Sequence, residues 1–238
     1  MQQSLDPILV TLAGPNGTGK TTLTNLIKGH AWLKGCQYIN PDDIRFEIAK
    51  AEGINPETDA MNRRAAEEAD RRREELLSGR LGIAFETVFS TQGKLDFLHR
   101  AKAAGYFIRL FFVGTSDPSI NVRRIAARVE QGGHPVPERK IHERYYRSIA
   151  LYTQAAKFVH RSYLYDNSQD IDLTTEKDYK LPIVFRTKDG IVVKAYQPYP
   201  AWTLPILSEL QFAPGVATPQ PDAPKSDATS PSDEIGGM

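Results

Sequence analysis

The first candidate for chemistry is a phosphate-binding loop near the start of the chain. Residues 14–21 read Gly-Pro-Asn-Gly-Thr-Gly-Lys-Thr, the pattern G-x-x-x-x-G-K-T. In such a loop main-chain N–H groups surround a polyphosphate, Lys20 reaches the β- and γ-phosphates of ATP, and the Thr21 hydroxyl binds Mg²⁺. The predicted nucleotide-binding residues are Gly14, Pro15, Asn16, Gly17, Thr18, Gly19, Lys20, Thr21 and Thr22. A chance glycine-rich turn is the alternative, but a strand-like run before the loop and a helix-like pattern after it favour the nucleotide site.

Two carboxylates follow other strand-like runs and are candidates for the chemistry at the phosphate. Asp42 can accept a proton from a substrate hydroxyl or hold a magnesium-bound water. The alternative for this segment is helix capping, a role that we assign to Asp43. Glu86 ends an apolar run and, with Thr87, is expected to bind an acceptor hydroxyl or the magnesium shell. An exposed strand-end glutamate is the other interpretation.

A basic segment, residues 118–165, contains nine Lys or Arg residues against three Glu residues. Phosphoryl transfer depends mainly on positioning and on charge stabilisation, and arginines on a lid supply both. We expect Arg128 and one of Arg144 and Arg147 to act in this way, with Arg124 in reserve. Most of the other basic side chains are expected to be solvated.

The lid has a natural break at Gly132 and Gly133, which favours a hinge between two helices. His134 follows this pair and either contacts a substrate phosphate or is a loop residue without a task. Asn167 follows the fifth strand-like run, where the adenine of ATP is expected. It contacts the base or belongs to a plain turn.

Alternating strand and helix patterns must position these residues. The five strand-like runs are Pro7–Ala13, Cys36–Asn40, Gly82–Glu86, Tyr106–Val113 and Phe158–Tyr165. Helix-like stretches separate them, and one of these is predicted to begin at Asn55-Pro56-Glu57. This order predicts an α/β fold: a kinase-like core of the P-loop NTPase type, with a five-stranded, mostly parallel sheet and a helical lid near residues 120–147. The ligand crevice is then expected at the carboxyl ends of the strands.

The pattern changes after residue 180. Asp189-Gly190 between two β-rich runs predicts a hairpin, and a short helix is expected from Trp202 to Leu210. From Ala213 the chain is poor in large apolar residues, which predicts disorder. We therefore divide the chain into a kinase-like domain (1–180), a hairpin and helix packed on it (181–212) and a tail (213–238).

Bulk composition narrows the class of protein. The 238 residues carry a net charge of +1, which argues against a dedicated nucleic-acid binder. The one cysteine excludes an internal disulfide and suits a reducing compartment. The sequence has no apolar run long enough to cross a bilayer and no signal-peptide pattern at its start. These features predict a soluble, cytoplasmic protein.

Several motifs together resemble the zeta toxin family over about residues 8–170. They are G-P-N-G-T-G-K-T, I-N-P-D-D-I-R, E-T-V-F-S-T and R-V-E-Q-G-G-H-P-V-P-E-R-K-I-H-E-R-Y. The resemblance implies a P-loop kinase that uses ATP and Mg²⁺ to phosphorylate the 3′-hydroxyl of the amino sugar in UDP-N-acetylglucosamine. It also implies an antitoxin partner that restrains the enzyme.

The resemblance also assigns roles to individual residues. Lys20 and Thr21 match the phosphate and magnesium residues, Asp42 the catalytic base, Glu86 a sugar-binding carboxylate, and Arg128 the first of two lid arginines. The chain departs from the family at the second lid arginine, where it has His134, with Arg144 and Arg147 further on. Arg45, in the same motif as Asp42, is included among the expected substrate-binding residues, although the segment after it lacks the family's usual His-Pro pair.

Two alternatives to a nucleotide-sugar kinase stay open. The acceptor can be another sugar nucleotide, a nucleoside or a polynucleotide end. The chain can also be a regulatory ATP-binding switch, which needs no acceptor pocket. The guanine-binding pattern Asn-Lys-x-Asp is absent from the sequence, so a GTPase is not favoured.

Overall fold

A single mixed sheet organises the chain. The computed structural model describes residues 6–133, 135–169 and 181–219. The strands in these ranges are β1 (Ile8–Ala13), β2 (Cys36–Ile39), β3 (Gly82–Thr87), β4 (Phe107–Gly114), β5 (Arg161–Asp166), β6 (Ile183–Lys188), β7 (Ile191–Ala195) and β8 (Gln211–Phe212). The helices are α1 (Lys20–Ile27), α2 (Pro41–Glu52), α3 (Asp59–Ser78), α4 (Gln92–Ala103), α5 (Pro118–Glu130), α6 (Glu138–Ala156) and α7 (Leu204–Ser208), with short 3₁₀ turns at Ala31–Leu33 and Ala201–Thr203.

The first five strands are parallel, and their order is β2-β3-β1-β4-β5. Central strand β1 is buried from Leu9 to Ala13, as expected for a strand covered on both faces. The predicted α/β architecture with a largely parallel sheet is confirmed. Since parallel strands end at the same edge of a sheet, the loops after β1, β2, β3 and β5 all open at that edge.

The predicted hairpin extends this sheet rather than standing beside it. Strand β6 pairs antiparallel with β5, β7 pairs antiparallel with β6, and the two-residue β8 pairs parallel with β7. The described residues therefore form an eight-stranded sheet, of which the five parallel strands are the predicted part. The turn uses Asp189 and Gly190, both with positive φ, as a tight hairpin requires.

One predicted cap and two predicted element boundaries are wrong, each because of a local hydrogen bond or turn. The side chain of Asn40, not of Asp43, caps α2 by accepting from the Asp42 N–H group at 3.0 Å. Helix α3 begins at Asp59 instead of Asn55, because Thr58 accepts from the Met61 N–H group. Strand β5 begins at Arg161, since turn bonds still join Phe158 and Val159 to Ala155.

The boundary of the tail also lies further along the chain. Disorder is predicted from Ala213, yet Ala213 donates to the Val192 carbonyl and Tyr199 donates to the Ala217 carbonyl at 2.6 Å. The rest of the predicted tail, residues 220–238, lies outside the described residues, as do His134 and residues 170–180.

Two apolar clusters hold the layers together, one on each face of the sheet. The larger contains Phe85, Leu98 and Phe112 and extends to Phe185 and Leu207 of the C-terminal segment. The smaller packs α1 on the other face, through residues that include Leu12 and Leu23. Among the described residues, no helix has the length and apolar character needed to span a membrane.

Candidate active site

The loop between β1 and α1 has the geometry of an anion cradle. Gly14, Gly17 and Gly19 adopt positive φ values of 150°, 78° and 86°, a conformation that side chains disfavour. Gly19 precedes α1, and no side chain caps the N-terminus of this helix. The first N–H groups of α1 are thus left for an external acceptor, and the helix dipole adds positive potential there. These features fit the phosphates of ATP.

Lys20 lies folded across this loop. Its Nζ donates to the carbonyl oxygens of Gly14 at 2.9 Å and Pro15 at 3.0 Å. Burial lowers the pKa of Lys20 to about 8. The negative charges of Glu86 and Asp42 act to raise this pKa, whereas the positive charges of Arg128 and Arg144 act to lower it. The charged candidates predicted from three other segments therefore all influence the charge state of Lys20.

Glu86, at the end of β3, belongs to a compact hydrogen-bonded group. Its Oε1 accepts from the Tyr38 hydroxyl at 2.5 Å and from the Thr24 hydroxyl at 2.6 Å. Burial, followed by the bond to Glu86, raises the pKa of Tyr38. The three side chains come from β2, α1 and β3, so the carboxylate is fixed from two sides. Its neighbour Thr87 accepts from the Phe89 N–H group at 3.0 Å and so shapes the turn after the strand.

Asp42 and Asp43 lie in the first turn of α2, directly after β2, and both are exposed. Arg45, one turn later, has a different environment. It is buried, and its Nη1 donates to Glu57 at 3.1 Å and to Asn62 at 3.4 Å. This arginine joins α2 to the start of α3, a structural contact that the expected substrate role did not include.

The predicted lid consists of α5 and α6 with a break between them, as the sequence predicts. Arg144 on α6 reaches the phosphate-binding loop, where its Nη1 lies 3.3 Å from Oδ1 of Asn16. Arg147, one turn later, is largely exposed and lies 3.9 Å from Glu143. Arg128 lies in the last turn of α5, and its side chain and carbonyl pack so closely on Gly133 that a Cβ there would collide. Of the two α6 candidates, Arg144 is the one in contact with the loop.

The segment after β5 is fastened to the phosphate-binding loop. Asn167 Nδ2 donates to the Thr18 carbonyl at 2.9 Å, next to Gly19, where a Cβ would meet this amide. The Arg124 guanidinium donates to the carbonyls of Asn167 and Gln169, both at 2.8 Å. The side chain of Asn167, for which contact with the base or a plain turn was predicted, thus binds the loop, and Arg124 supports the same segment.

Candidate oxygen ligands for Mg²⁺ lie around the loop. The Thr21 hydroxyl is exposed in the first turn of α1, and Asp42 is exposed at the end of β2. Within the described ranges there is no cluster of three or more His, Cys, Asp or Glu residues placed to hold a metal. Mg²⁺ bound with a nucleotide usually takes only one or two protein oxygens beside phosphates and waters, so these residues fit it.

Sequence reasoning missed two contributors: Tyr38 and the Asn16 side chain. Tyr38 and Glu86 are 48 positions apart, and Asn16 and Arg144 are 128 apart. No local pattern marks either pair. The strand-end position of Tyr38, close to Asp42, was the available signal.

Comparisons with known proteins identify the family of this chain. The family model described as Zeta toxin matches residues 1–177. An uncharacterized protein of Haemophilus influenzae is 29% identical over 137 residues, which are 56% of this chain and 88% of that protein.

Two solved structures share the fold. The AvrRxo1-ORF1:-ORF2 complex with ATP aligns with a TM-score of 0.57 at 19% identity, over 79% of this chain and 60% of that one. The PezAT toxin–antitoxin system of Streptococcus pneumoniae aligns with a TM-score of 0.50 at 18% identity, over 88% and 80%. This chain therefore spans less than two thirds of the AvrRxo1 chain. At these identities the likeness shows the fold.

Proposed function

The chain belongs to the zeta toxin family of ATP-dependent phosphotransferases, and from this premise we propose that it phosphorylates a hydroxyl group of a nucleotide sugar such as UDP-N-acetylglucosamine. The observation that carries the proposal is the set of contacts around the phosphate-binding loop. Lys20 lies across the loop, Glu86 accepts from Thr24 of α1, and Arg144 contacts Asn16 of the loop. The charges of Asp42, Glu86, Arg128 and Arg144 all act on the Lys20 ammonium. A phosphate anchor, a candidate base and charge-stabilising arginines are thus combined at one point, as phosphoryl transfer requires.

The phosphate-binding loop places the phosphoryl donor. The uncapped N–H groups of α1 and the cradle around Gly17 and Gly19 bind the β- and γ-phosphates. Lys20 exchanges its bonds to the Gly14 and Pro15 carbonyls for bonds to phosphate oxygens. Thr21 would hold Mg²⁺, with Asp42 as a second candidate ligand, and the ion would supply positive charge to the phosphates.

The acceptor lies on the Asp42 and Glu86 side. Asp42 is exposed and accepts the proton of the attacking hydroxyl as that oxygen bonds to the γ-phosphorus. The bond from this phosphorus to the β–γ bridging oxygen breaks at the same time, and ADP is the leaving group. Glu86 is oriented by Tyr38 and Thr24, and its remaining oxygen accepts a hydrogen bond from a second hydroxyl of the sugar. Thr87 completes the proposed acceptor side, and His134, which lies outside the described residues, stays a predicted substrate contact.

The lid arginines stabilise the transferred group. Arg144 is already held at the phosphate-binding loop by Asn16, and Arg128 acts electrostatically on the same site. Both compensate the charge of the migrating phosphoryl group, and closure of α5 and α6 excludes water.

We further propose a protein partner that neutralises the enzyme. Support comes from the family and from the PezAT relative, whose structure is that of a toxin–antitoxin system. Co-purification with the product of the adjacent reading frame would identify such a partner, and relief of growth inhibition would establish its role.

Asp42→Asn is the decisive variant for this function. It keeps the size of the side chain but cannot accept the substrate proton, so we expect phosphorylation to fall by about 10²–10⁴-fold. ATP affinity should change little. The assay incubates the protein with ATP, Mg²⁺ and a panel of nucleotide sugars, nucleosides and polynucleotide ends, and mass spectrometry detects the added phosphate.

Asp43→Asn is the matched control, because it lies next in the same exposed turn and should retain activity. Phosphorylation of a different acceptor class would correct the substrate. ATP binding without transfer to any acceptor would favour the switch instead of the kinase.

A further inference from the structure

Trp202 connects the C-terminal segment to the nucleotide site. It lies in the 3₁₀ turn Ala201–Thr203, beyond residues 1–177 that the family matches. Its indole ring covers Gly114 at the carboxyl end of β4 so closely that a Cβ on Gly114 would collide with it. Its Nε1 donates to Oδ1 of Asp166 at 3.1 Å. The ring therefore bears on the ends of two neighbouring strands, β4 and β5.

From Asp166 a chain of hydrogen bonds leads to the phosphate-binding loop. Ser168 donates its hydroxyl proton to the same Asp166 oxygen, and the Ser116 N–H group donates to Ser168 at 2.8 Å. Asn167, which lies between Asp166 and Ser168 in the sequence, donates its main-chain N–H group to the Gly114 carbonyl at 2.8 Å. Its side-chain amide donates to the Thr18 carbonyl at 2.9 Å. Trp202 thus contacts the segment Asp166–Ser168, and Asn167 in the middle of this segment binds the phosphate-binding loop.

A second route runs through β4 itself. Gly114 follows Val113, and the Val113 carbonyl lies so close to Gly14 that Gly14 has no room for a Cβ. Gly14 begins the phosphate-binding loop. Packing of the indole on Gly114 therefore limits the movement of the strand end against which the loop rests.

We propose that Trp202 is a positioning residue of the nucleotide site, which acts through Asp166 and Asn167 to hold the phosphate-binding loop in its anion-binding conformation. This inference rests on the proposed function, because it assumes that the loop binds ATP. Preorganisation of this kind acts on nucleotide affinity, since a loop that is already ordered loses less conformational entropy on binding.

Trp202→Phe removes the indole N–H group and also the outer ring carbons that cover Gly114, because a phenyl ring is shorter than an indole. It therefore tests both routes together. We expect the Kd for ATP to rise about fivefold, the order of one lost hydrogen bond. The KM for ATP should rise in parallel, while kcat at saturating ATP and the KM for the acceptor change less than about twofold. Calorimetry measures the Kd for ATP, and steady-state kinetics measure kcat and the two KM values separately.

Asp166→Ala is the second variant, which removes the acceptor of both Trp202 and Ser168 without touching the ring. It should weaken ATP binding at least as much. Adding Trp202→Phe to it should cost less than Trp202→Phe does alone, because both changes break the bond between Nε1 and Asp166. This variant decides the question if Trp202→Phe folds poorly.

Trp32→Phe is the matched control. Trp32 packs on Phe111 and Tyr163, on the face of the sheet that carries α1, and should leave ATP affinity unchanged. Because the chain has two tryptophans, this variant also leaves Trp202 as the sole indole emitter, and ATP should change its fluorescence.

The outcomes separate the two proposals. If the wild-type protein binds no ATP, the proposed function fails. If it binds ATP and both Trp202→Phe and Asp166→Ala bind equally tightly, the function stands and the role of Trp202 is overturned.

Discussion

At the scale of single residues, the site depends on an ammonium that is held partly out of water. The Nζ of Lys20 donates to the Gly14 and Pro15 carbonyls, so the lysine is itself part of the phosphate-binding loop structure. Desolvation is the largest cause of its lowered pKa, which lies at about 8. The same burial strengthens its attraction to phosphate, because the local dielectric is low. The lysine therefore loses its positive charge as the pH rises above about 8, unless a bound phosphate raises its pKa.

This predicts a pH-dependent affinity for ATP. Phosphate raises the pKa of Lys20, so binding takes up a proton once the free lysine has begun to lose its own. Above about pH 8 the affinity should fall with rising pH, by at most about tenfold per pH unit because one proton is linked. Calorimetric titration across this range measures the slope.

Lys20→Met is the control for the pH experiment. It removes the titrating group, so binding should be weak and independent of pH over the same interval. A wild-type affinity that stays constant through pH 8 to 9 would contradict the assignment of this proton to Lys20.

At the scale of elements, α6 selects between two candidate arginines. Arg144 and Arg147 lie three positions apart on one helix, and the sequence alone left both open. The packing of α6 directs Arg144 to Asn16 and leaves Arg147 exposed beside Glu143. Only Arg144 of the pair contributes to the pKa of Lys20. The orientation of the helix thus determines which of the two arginines contacts the phosphate-binding loop.

Replacement of each arginine by alanine tests this orientation. Arg144→Ala should lower kcat/KM by about 10²–10³-fold, as expected when a group that stabilises transition-state charge is lost. Arg147→Ala should change it by less than about threefold, since exposed ion pairs contribute little. Steady-state kinetics on both purified variants measure the difference, and equal losses would place Arg147 in the site as well.

At the scale of the whole molecule, the C-terminal strands share their core with the kinase-like part. Phe185 of β6 is fully buried and lies 6.4 Å, between ring centres, from Tyr152 of α6. Tyr152 in turn stacks on Phe112 of β4. Because one apolar cluster runs through both parts, we propose that they unfold together as one domain.

Phe185→Ala tests this cooperativity. Loss of a buried ring should lower the free energy of unfolding by about 3–5 kcal/mol. Urea unfolding followed by circular dichroism and by tryptophan fluorescence should still give a single shared midpoint. Phe46→Ala is the control, because its ring is 52% exposed and its removal should cost far less. Two separated transitions would show that residues 181–219 form an independent unit.

The sequence by itself determined what depends on neighbouring residues. The Gly14–Thr21 pattern predicted the cradle because its donors belong to consecutive residues, whose conformation the glycines permit. Alternating strand and helix patterns predicted the parallel sheet, and Asp189-Gly190 predicted the hairpin. The cap of α2 was assigned to Asp43 instead of Asn40, and the start of α3 was placed at Asn55 instead of Asp59. Several side chains that can cap a helix lie close together at both places.

Only the tertiary structure decided which distant side chains meet. The pairing of Tyr38 with Glu86, of Asn16 with Arg144 and of Trp202 with Asp166 depends on strand order and helix orientation. These are fixed by burial of the whole apolar surface, a property that is summed over the chain and leaves no mark on a short segment. The phosphate-binding loop can therefore be predicted from eight consecutive residues. The distant side chains that orient and complete it cannot be predicted from any short segment.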